Sequence, residues 1–328
     1  MPSINFLSLI AAAFVALAMP SAVLAVNQQY KDCLFRGIEG ADDNVTLGDL
    51  RAKCDVQDQP EDSLVNDRLK QDKRNTLEPF TILSHEPNYL LLANHNSKGY
   101  QNSLDDAFVE FDDRRLDDTE AQFQVSLKVP LETNIFNRDI DLYGAYTVRS
   151  FWQVYNTDES SPFRETNHEP ELWLQAYPNW RIFGLNNAVV RLGINHQSNG
   201  RPDPISRSWN RVFVDFILAK DNFALSFKPW IRVSEDREDD DNPDITDFLG
   251  HYEIKGLYKS RSGHQFSLMS RNNLESGFER GSIEAGWSFP LGRWPYLRGY
   301  VQYFRGYGES LLDYNQKANS IGLGIMLK

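Results

Sequence analysis

A histidine, a serine and an asparagine flank one short polar segment of the chain. His196 and Ser198 end an alternating segment that contains Ile194, and Asn210 opens a second one that contains Val212. Because side chains alternate along a strand, His196 and Ser198 should face the same side as Ile194, and Asn210 the same side as Val212. Imidazole can take the proton of a serine hydroxyl, and an amide oxygen can orient the imidazole. The pattern predicts a nucleophilic site of the Ser-His-Asn type.

Alternating segments of this kind recur from about residue 79 to residue 328. Phe123, Val125 and Leu127, for example, alternate with polar residues. About twelve segments of about 10 to 14 residues can be counted, and that length suits a tilted strand that crosses a hydrocarbon layer. They lie near residues 80–95, 120–131, 140–155, 168–179, 186–198, 208–219, 222–233, 250–259, 263–273, 279–289, 295–306 and 318–327. An even number of such strands favours a closed antiparallel barrel.

The connections between these segments are alternately short and long. The short ones are 219–221, 260–262 and 291–293, and the long polar ones are 156–167, 199–207, 234–249 and 305–317. Short turns on one side and long loops on the other are typical of outer-membrane barrels. We therefore predict an all-β protein, a twelve-stranded antiparallel transmembrane β-barrel with a polar lumen. The alternative is a soluble β-sandwich or lipocalin-like barrel, whose apolar face would point inward.

The N-terminal quarter differs in composition from the rest. Residues 1–25 combine an apolar run with small residues before position 26, which predicts a secretory signal peptide, with an N-terminal anchor as the alternative. Residues 26–78 are polar, and we expect a periplasmic extension with short helices at Thr46–Lys53 and Asp62–Lys73. The barrel, with the site on its outer wall, should occupy residues 79–328.

The cysteines and the charge restrict the partners. Cys33 and Cys54 are the only two cysteines, and an exported compartment would allow them to form a disulfide, although two free thiols remain an alternative. The formal net charge of -12 argues against nucleic acid as a partner, because binding a polyanion requires cations. The segment from Glu235 to Asp241 contains six acids and one arginine, a composition typical of a solvated loop or of a cation site.

Several segments together resemble the outer membrane phospholipase A family. They are Ser150-Phe151-Trp152-Gln153, residues 160–167, Asn195 to Arg201, Ser206 to Arg211, residues 241–246 and Gly306-Tyr307-Gly308-Glu309-Ser310. The resemblance spans most of residues 79–328. It implies a twelve-stranded enzyme of the Gram-negative outer membrane that hydrolyses acyl esters of phospholipids and lysophospholipids, as phospholipase A1 or A2. It also implies a requirement for Ca²⁺ and activity as a homodimer.

The resemblance assigns catalytic roles position by position. Ser198 corresponds to the family's nucleophile, His196 to its base and Asn210 to the residue that orients the histidine. The backbone amide of Gly200 corresponds to the oxyanion hole, where donors stabilise the negative charge of an acyl-transfer intermediate.

The resemblance also implies a calcium site shared by two subunits. The Arg201 carbonyl and the Ser206 hydroxyl would bind the ion together with Ser160 of a second copy of the chain. Asp241 matches a further calcium ligand of the family, at a second calcium site to which Asp203 would also belong. Oxygen ligands are those that a hard cation prefers.

Some features depart from the family or leave other functions open. Val148 stands where the family has a glutamine that links the monomers within the membrane, so this dimer would lack that hydrogen bond. An alternative function is a passive porin or structural barrel, in which His196 and Ser198 are ordinary polar residues near a membrane surface. In that case the polar cluster around His196 and Ser198 would bind only divalent cations or lipid headgroups. A third possibility is a soluble secreted esterase.

Overall fold

The computed structural model describes residues 35–38, 46, 63–76, 82–100, 116–178, 180–182, 184–236, 238 and 240–327. Within these residues most of the regular secondary structure is β-strand. They are β1 (Leu83–Ser84), β2 (Tyr89–Asn96), β3 (Thr119–Glu132), β4 (Ile140–Trp152), β5 (Phe163–Ala176), β6 (Trp180–Ile182), β7 (Leu185–Ser198), β8 (Ser208–Lys220), β9 (Phe223–Val233), β10 (Tyr252–Lys259), β11 (Gln265–Asn272), β12 (Gly281–Leu291), β13 (Trp294–Tyr307) and β14 (Lys317–Leu327). The helices are α1 (Leu64–Thr76), α2 (Ile245–Leu249) and a 3₁₀ turn at Ile135–Asn137, beside a short helical turn at residues 35–38.

Twelve of the strands form a closed antiparallel barrel. Each long strand pairs with the next long strand along the chain, and the last one, β14, pairs back with β2. The short strands β1 and β6 add to β3 and β7. Closure removes the exposed edges that an open sheet would present. The predicted twelve-stranded barrel is confirmed, and the sandwich alternative is wrong.

The two faces of the barrel wall have opposite polarity. On β3, the side chains of Val125, Leu127 and Val129 point outward and are 37% to 43% exposed. Gln122 and Ser126 point into the lumen and are fully buried. Apolar residues outside and polar residues inside are what a hydrocarbon surrounding requires. This arrangement decides where an outward-facing site can act.

Charged side chains in the lumen are paired with one another. The Arg164 guanidinium is fully buried and bonds Glu120 at 2.8 Å. Glu171 accepts from Lys228 and contacts His85, each at 2.7 Å. A buried charge without a partner is costly, so such networks hold the strands together from inside. They leave a cavity of about 550 Å³ in the lumen.

The external loops pack apolar side chains into the mouth of the barrel. Trp209 and Trp230 of the wall form one buried cluster with Ile245 and Leu249 of α2 and with Leu311 of the last loop. The Trp230 ring donates its N–H to the carbonyl of Gly250 at 3.1 Å. These contacts fix the loops that surround the strand ends where the predicted site lies.

Two strands begin furthest from their predicted positions. The first predicted segment, 80–95, is interrupted at Pro87, which has no N–H for the ladder, and β2 begins only at Tyr89. Strand β5 begins at Phe163, earlier than predicted. Its first inward-facing residues, including buried Arg164 and Glu165, belong to the polar lumen, so apolar alternation could not reveal them.

Part of the N-terminal extension is described. Helix α1 corresponds to the predicted helix at Asp62–Lys73, and the Asp72 carboxylate accepts from Lys128 inside the barrel at 2.7 Å. Apart from Thr46, the predicted helix at 46–53 lies outside the described residues, as do the predicted signal peptide, Cys33 and Cys54. None of the helices in the described part of the chain is long and apolar enough to cross a membrane.

Candidate active site

The predicted catalytic residues lie where two adjacent strands meet the external loops. Strand β7 ends at Ser198, and β8 begins at Ser208. The register of this antiparallel pair places His196 directly opposite Asn210. Ile194, on the same face of β7, is 56% exposed, which identifies this face as the outer wall. The structure therefore brings His196, Ser198 and Asn210 together on the lipid side.

A chain of hydrogen bonds orients the histidine. Nδ1 of His196 lies 2.9 Å from Oδ1 of Asn210, and Nδ2 of Asn210 donates to a carboxylate oxygen of Glu235 at 2.9 Å. An amide oxygen can only accept, so His196 donates from Nδ1 and keeps the lone pair of Nε2 free. That tautomer is the one a general base requires. The predicted pairing of His196 with Asn210 is thus present, and Glu235 extends it.

The hydroxyl of Ser198 makes no hydrogen bond to any described residue. Ser198 and His196 lie two residues apart on the same face, so their Cα atoms are roughly 6 to 7 Å apart. The imidazole of His196 and the hydroxyl of Ser198 therefore do not form a hydrogen bond with each other in this structure. In sites without substrate such contacts are often long, and they shorten when substrate binds.

The backbone around Gly200 leaves one amide available. The N–H groups of Asn199 and Arg201 donate to the Arg207 carbonyl at 3.0 Å and to the Asn199 side chain at 3.2 Å, whereas the Gly200 N–H meets no acceptor among the described residues. Gly200 has a φ of 63°, a conformation that favours glycine. An unpaired donor beside the serine is what an oxyanion hole needs.

Asn199 organises this loop, and the sequence did not single it out. Its side chain is 4% exposed and accepts from the backbone of Arg201 and Arg207 while donating to the Ile205 carbonyl at 2.8 Å. Asparagine next to glycine is common in turns because the asparagine side chain forms hydrogen bonds with nearby backbone groups. That signal could have predicted its role.

His168 is a second residue that sequence reasoning missed. It lies on β5, opposite Ser198 in the register, and its Nδ1 is 2.6 Å from the Tyr146 hydroxyl. A Cβ placed on Gly200 would lie 3.9 Å from the imidazole ring of His168. The ring therefore forms the side of the candidate site that faces β5.

Some of the predicted calcium ligands lie together and others do not. The Ser206 hydroxyl donates to the Asp241 carboxylate at 2.6 Å. Asp203 is exposed at the tip of the same loop as Ser206. Ser160 lies in the loop between β4 and β5, and within this chain no hydrogen bond joins it to Ser206 or Asp241. Among the described residues there is no cluster of three or more His, Cys, Asp or Glu side chains that could hold a metal alone.

The donor chemistry of these residues nevertheless fits a hard cation. Ser206 and Asp241 offer a hydroxyl and a carboxylate that contact each other, and Arg201 offers a backbone carbonyl in the same loop as Ser206. Oxygen ligands of this kind suit Ca²⁺. The Arg201 guanidinium bonds the Phe163 carbonyl at 3.1 Å, which connects the loop to β5. The calcium site therefore stays a prediction, with Ser206 and Asp241 as oxygen donors that one subunit brings into contact.

A tyrosine connects the loop of Asp241 to the last external loop. The Tyr314 hydroxyl donates to the Asp244 carboxylate, and its ring packs edge-on against Phe248 at 5.8 Å. Burial, together with the Asp244 carboxylate, raises the pKa of the Tyr314 hydroxyl. The hydroxyl therefore stays protonated and remains a donor, which holds the two loops together.

Comparison with known proteins identifies the family. The model of the family described as Phospholipase A1 matches residues 65–327. The chain belongs to the phospholipase A1 family. Two relatives within it are the Phospholipase A1 of Escherichia coli strain K12, 38% identical over 252 residues (76% of this chain and 82% of the relative), and that of Klebsiella pneumoniae, 38% identical over 261 residues (79% and 85%).

Solved structures of phospholipase A1 family members share the fold. The outer membrane phospholipase of Salmonella typhi, a dimer with bound calcium, is 36% identical with a TM-score of 0.70, covering 78% of this chain and 97% of that one. Outer membrane phospholipase A from Escherichia coli is 36% identical with a TM-score of 0.69, covering 76% and 99%. The chain is accordingly a β-barrel protein of the Gram-negative outer membrane.

Proposed function

We propose that this phospholipase A1 family member is a carboxylic ester hydrolase that cleaves the acyl esters of phospholipids and lysophospholipids, with phospholipase A1 or A2 activity. The single observation that carries the proposal is the hydrogen bond from His196 to Asn210 on the outward face, beside the unpaired hydroxyl of Ser198. A nucleophile on this face meets esters that are embedded in lipid. The names of the relatives support the same substrate class.

In the proposed mechanism Ser198 is the nucleophile. Its Oγ attacks the ester carbonyl carbon while Nε2 of His196 takes the hydroxyl proton. The amide oxygen of Asn210 holds the imidazolium that forms, and the Gly200 N–H donates to the carbonyl oxygen as it becomes negative. His196 then returns the proton to the departing alcohol oxygen, which leaves an acyl-enzyme. A water molecule, deprotonated by His196, then attacks the acyl carbon. The bond to Ser198 Oγ breaks, the fatty acid leaves, and His196 returns the proton to Ser198.

The proposed cofactor is Ca²⁺. The Arg201 carbonyl and the Ser206 hydroxyl would hold one ion together with Ser160 from a second copy of the chain, and Asp241 and Asp203 would belong to a second calcium site. When bound, the ion supplies positive charge that stabilises the developing oxyanion. The calcium-bound dimer of the Salmonella typhi relative supports both the cofactor and a homodimer here.

Replacing the nucleophile tests the proposal. Ser198→Ala should lower the release of fatty acid from phospholipid micelles with calcium by at least about 1000-fold, because the acyl-enzyme cannot form. The matched control is Ser262→Ala in an exposed turn at the opposite end of the barrel, which should keep wild-type activity. Wild-type hydrolysis by the Ser198→Ala variant would contradict the mechanism, whereas a wild-type protein without hydrolysis would favour the passive or structural barrel.

A further inference from the structure

Three cations gather on the outer wall, at the external ends of adjacent strands. Lys98 follows β2, Arg305 lies near the end of β13, and Lys317 begins β14, which runs between them. Together with Ala318 and Asn319 they line a cavity of about 230 Å³. Strands β3, β4 and β5 separate this cavity from the Ser198 site on β7. We call Lys98, Arg305 and Lys317 the rim cations.

The strand register arranges the rim cations around Asn319. Arg305 lies directly opposite Asn319 on the neighbouring strand, and Lys317 precedes it by two residues on the same face. On the other side, the backbone N–H of Ser97, the residue before Lys98, donates to the Asn319 carbonyl at 3.0 Å. The three positive charges therefore surround one point of the wall.

Hydrogen bonds hold the floor of this cavity in place. The Tyr303 hydroxyl donates to Oδ1 of Asn319 at 2.9 Å, and Nδ2 of Asn319 donates to the Ser97 hydroxyl at 2.8 Å. The backbone of Asn319 in turn donates to the Asn96 side chain at 3.1 Å. The backbone positions of the rim cations are thus set before any ligand arrives, although the side chains themselves are exposed.

The charges of the rim cations are not used within the described protein. All three side chains are exposed, and none forms an ion pair or a side-chain hydrogen bond with a described residue. One carboxylate lies near: Asp118 Oδ1 would be 3.0 Å from a Cβ placed on Gly99, but it makes no ion pair with Lys98. In a chain with a net charge of -12, three neighbouring cations without an ion pair to any described residue produce a local positive potential that attracts an anion.

The position along β14 indicates which kind of anion would bind there. Leu323 and Ile321 point outward and are 60% and 56% exposed, and the next outward residues are Asn319 and Lys317. Two residues advance a strand by roughly 7 Å, so the rim cations lie just beyond the lipid-facing apolar band. In a barrel of the outer membrane, this level on the external side is that of the outer-leaflet headgroups.

We propose that the rim cations form a binding site for the phosphate groups of an outer-leaflet membrane lipid. Lysine and arginine near a membrane surface attract anionic headgroups, and the exposed apolar wall below them accommodates the attached chains. A free phosphate ion would use the cations but not that wall. The site is independent of the hydrolase function proposed above.

Lipids that cannot be hydrolysed provide the test. The full-length protein in neutral detergent is mixed with ether-linked phosphatidic acid or with ether-linked phosphatidylcholine, and bound lipid is counted by native mass spectrometry. Wild-type protein should retain more phosphatidic acid than phosphatidylcholine. The triple variant Lys98→Gln, Arg305→Gln, Lys317→Gln should bind phosphatidic acid at least about tenfold more weakly than wild type.

A control variant removes the same charge elsewhere. Lys220→Gln, Arg261→Gln, Arg293→Gln changes three exposed cations at the opposite end of the barrel and should bind like wild type. Equal loss in both triple variants would overturn the proposal, since overall charge would then explain it. Equal retention of the two lipids by wild type would also overturn it. Full displacement by millimolar inorganic phosphate would assign the site to the free ion instead.

Discussion

Asn210 is suited to its position because it is an uncharged acceptor on a wall that faces lipid. A carboxylate there would carry its charge toward hydrocarbon, where ionised groups are costly. The negative charge lies instead on Glu235, two residues beyond the end of β9, and reaches Asn210 through the 2.9 Å hydrogen bond to its Nδ2. Glu235 thereby keeps the amide oxygen of Asn210 directed at His196.

Replacing Glu235 should therefore slow hydrolysis without abolishing it. For Glu235→Ala we expect kcat to fall about three- to tenfold, the equivalent of one hydrogen bond, with KM nearly unchanged. Glu235→Gln keeps an acceptor oxygen and should restore most of kcat. Steady-state kinetics on phospholipid micelles measure both values.

Glu238→Ala is the control for that prediction. It removes an exposed carboxylate from the same loop and should leave kcat as in wild type. If the two alanine variants behaved alike, Glu235 would act only through the general charge of the loop and not by orienting Asn210.

At the level of elements, helix α1 is attached to the barrel by a buried ion pair. Asp72 is 3% exposed and Lys128 is 5% exposed, and Arg68 of the same helix donates to the Ser84 carbonyl at 2.8 Å. Burying an unpaired charge costs far more free energy than burying a charge that has a partner of opposite sign. The helix should therefore depend on this pair for its position, whereas the barrel depends on its strand ladder.

Asp72→Ala should release α1 and leave the barrel folded. We expect trypsin to cleave the helix several times faster in the variant, because cleavage follows the population of the open form. The barrel should keep its resistance to detergent, read as the mobility of the unheated protein on gels. Asp67→Ala, at an exposed position of the same helix, should resemble wild type. Equal cleavage of wild type and Asp72→Ala would show that the pair does not anchor α1.

At the scale of the whole molecule, one chain would supply only part of the proposed calcium site around Ser206. Ser206 and Asp241 contact each other, while Ser160 lies in another loop of the same subunit without a hydrogen bond to either. If a second copy supplies Ser160, calcium and dimerisation stabilise each other, since each is bound more tightly in the presence of the other. In the proposed dimer, Val148 would offer no side-chain hydrogen bond between the subunits.

Activity should therefore depend on calcium and on protein concentration together. At fixed detergent concentration, we expect fatty-acid release per mole of protein to rise with protein concentration, to vanish with a chelator and to return with added Ca²⁺. Calcium should also shift the concentration dependence to lower protein. Release per mole that is independent of both variables would contradict the shared site.

Local pattern was enough to predict the barrel and the three central residues of the site. Alternation with period two shows strands whose outer face is apolar, and it places His196 and Ser198 on one face. Asn210 follows because consecutive strands of a barrel are neighbours. The start of β5 escaped the pattern because Arg164 and Glu165 are buried by pairing and not by apolarity.

The sequence by itself thus determined the strands, their lipid-facing side and the pairing of His196 with Asn210, since each depends on residues close in the chain. Only the tertiary structure decided that Glu235 supports Asn210, that His168 lies beside Gly200 and that the rim cations meet around Asn319. The physical reason is that these contacts depend on strand register, loop packing and closure of β14 onto β2. Sequence spacing carries no information about which distant residues such closure brings together.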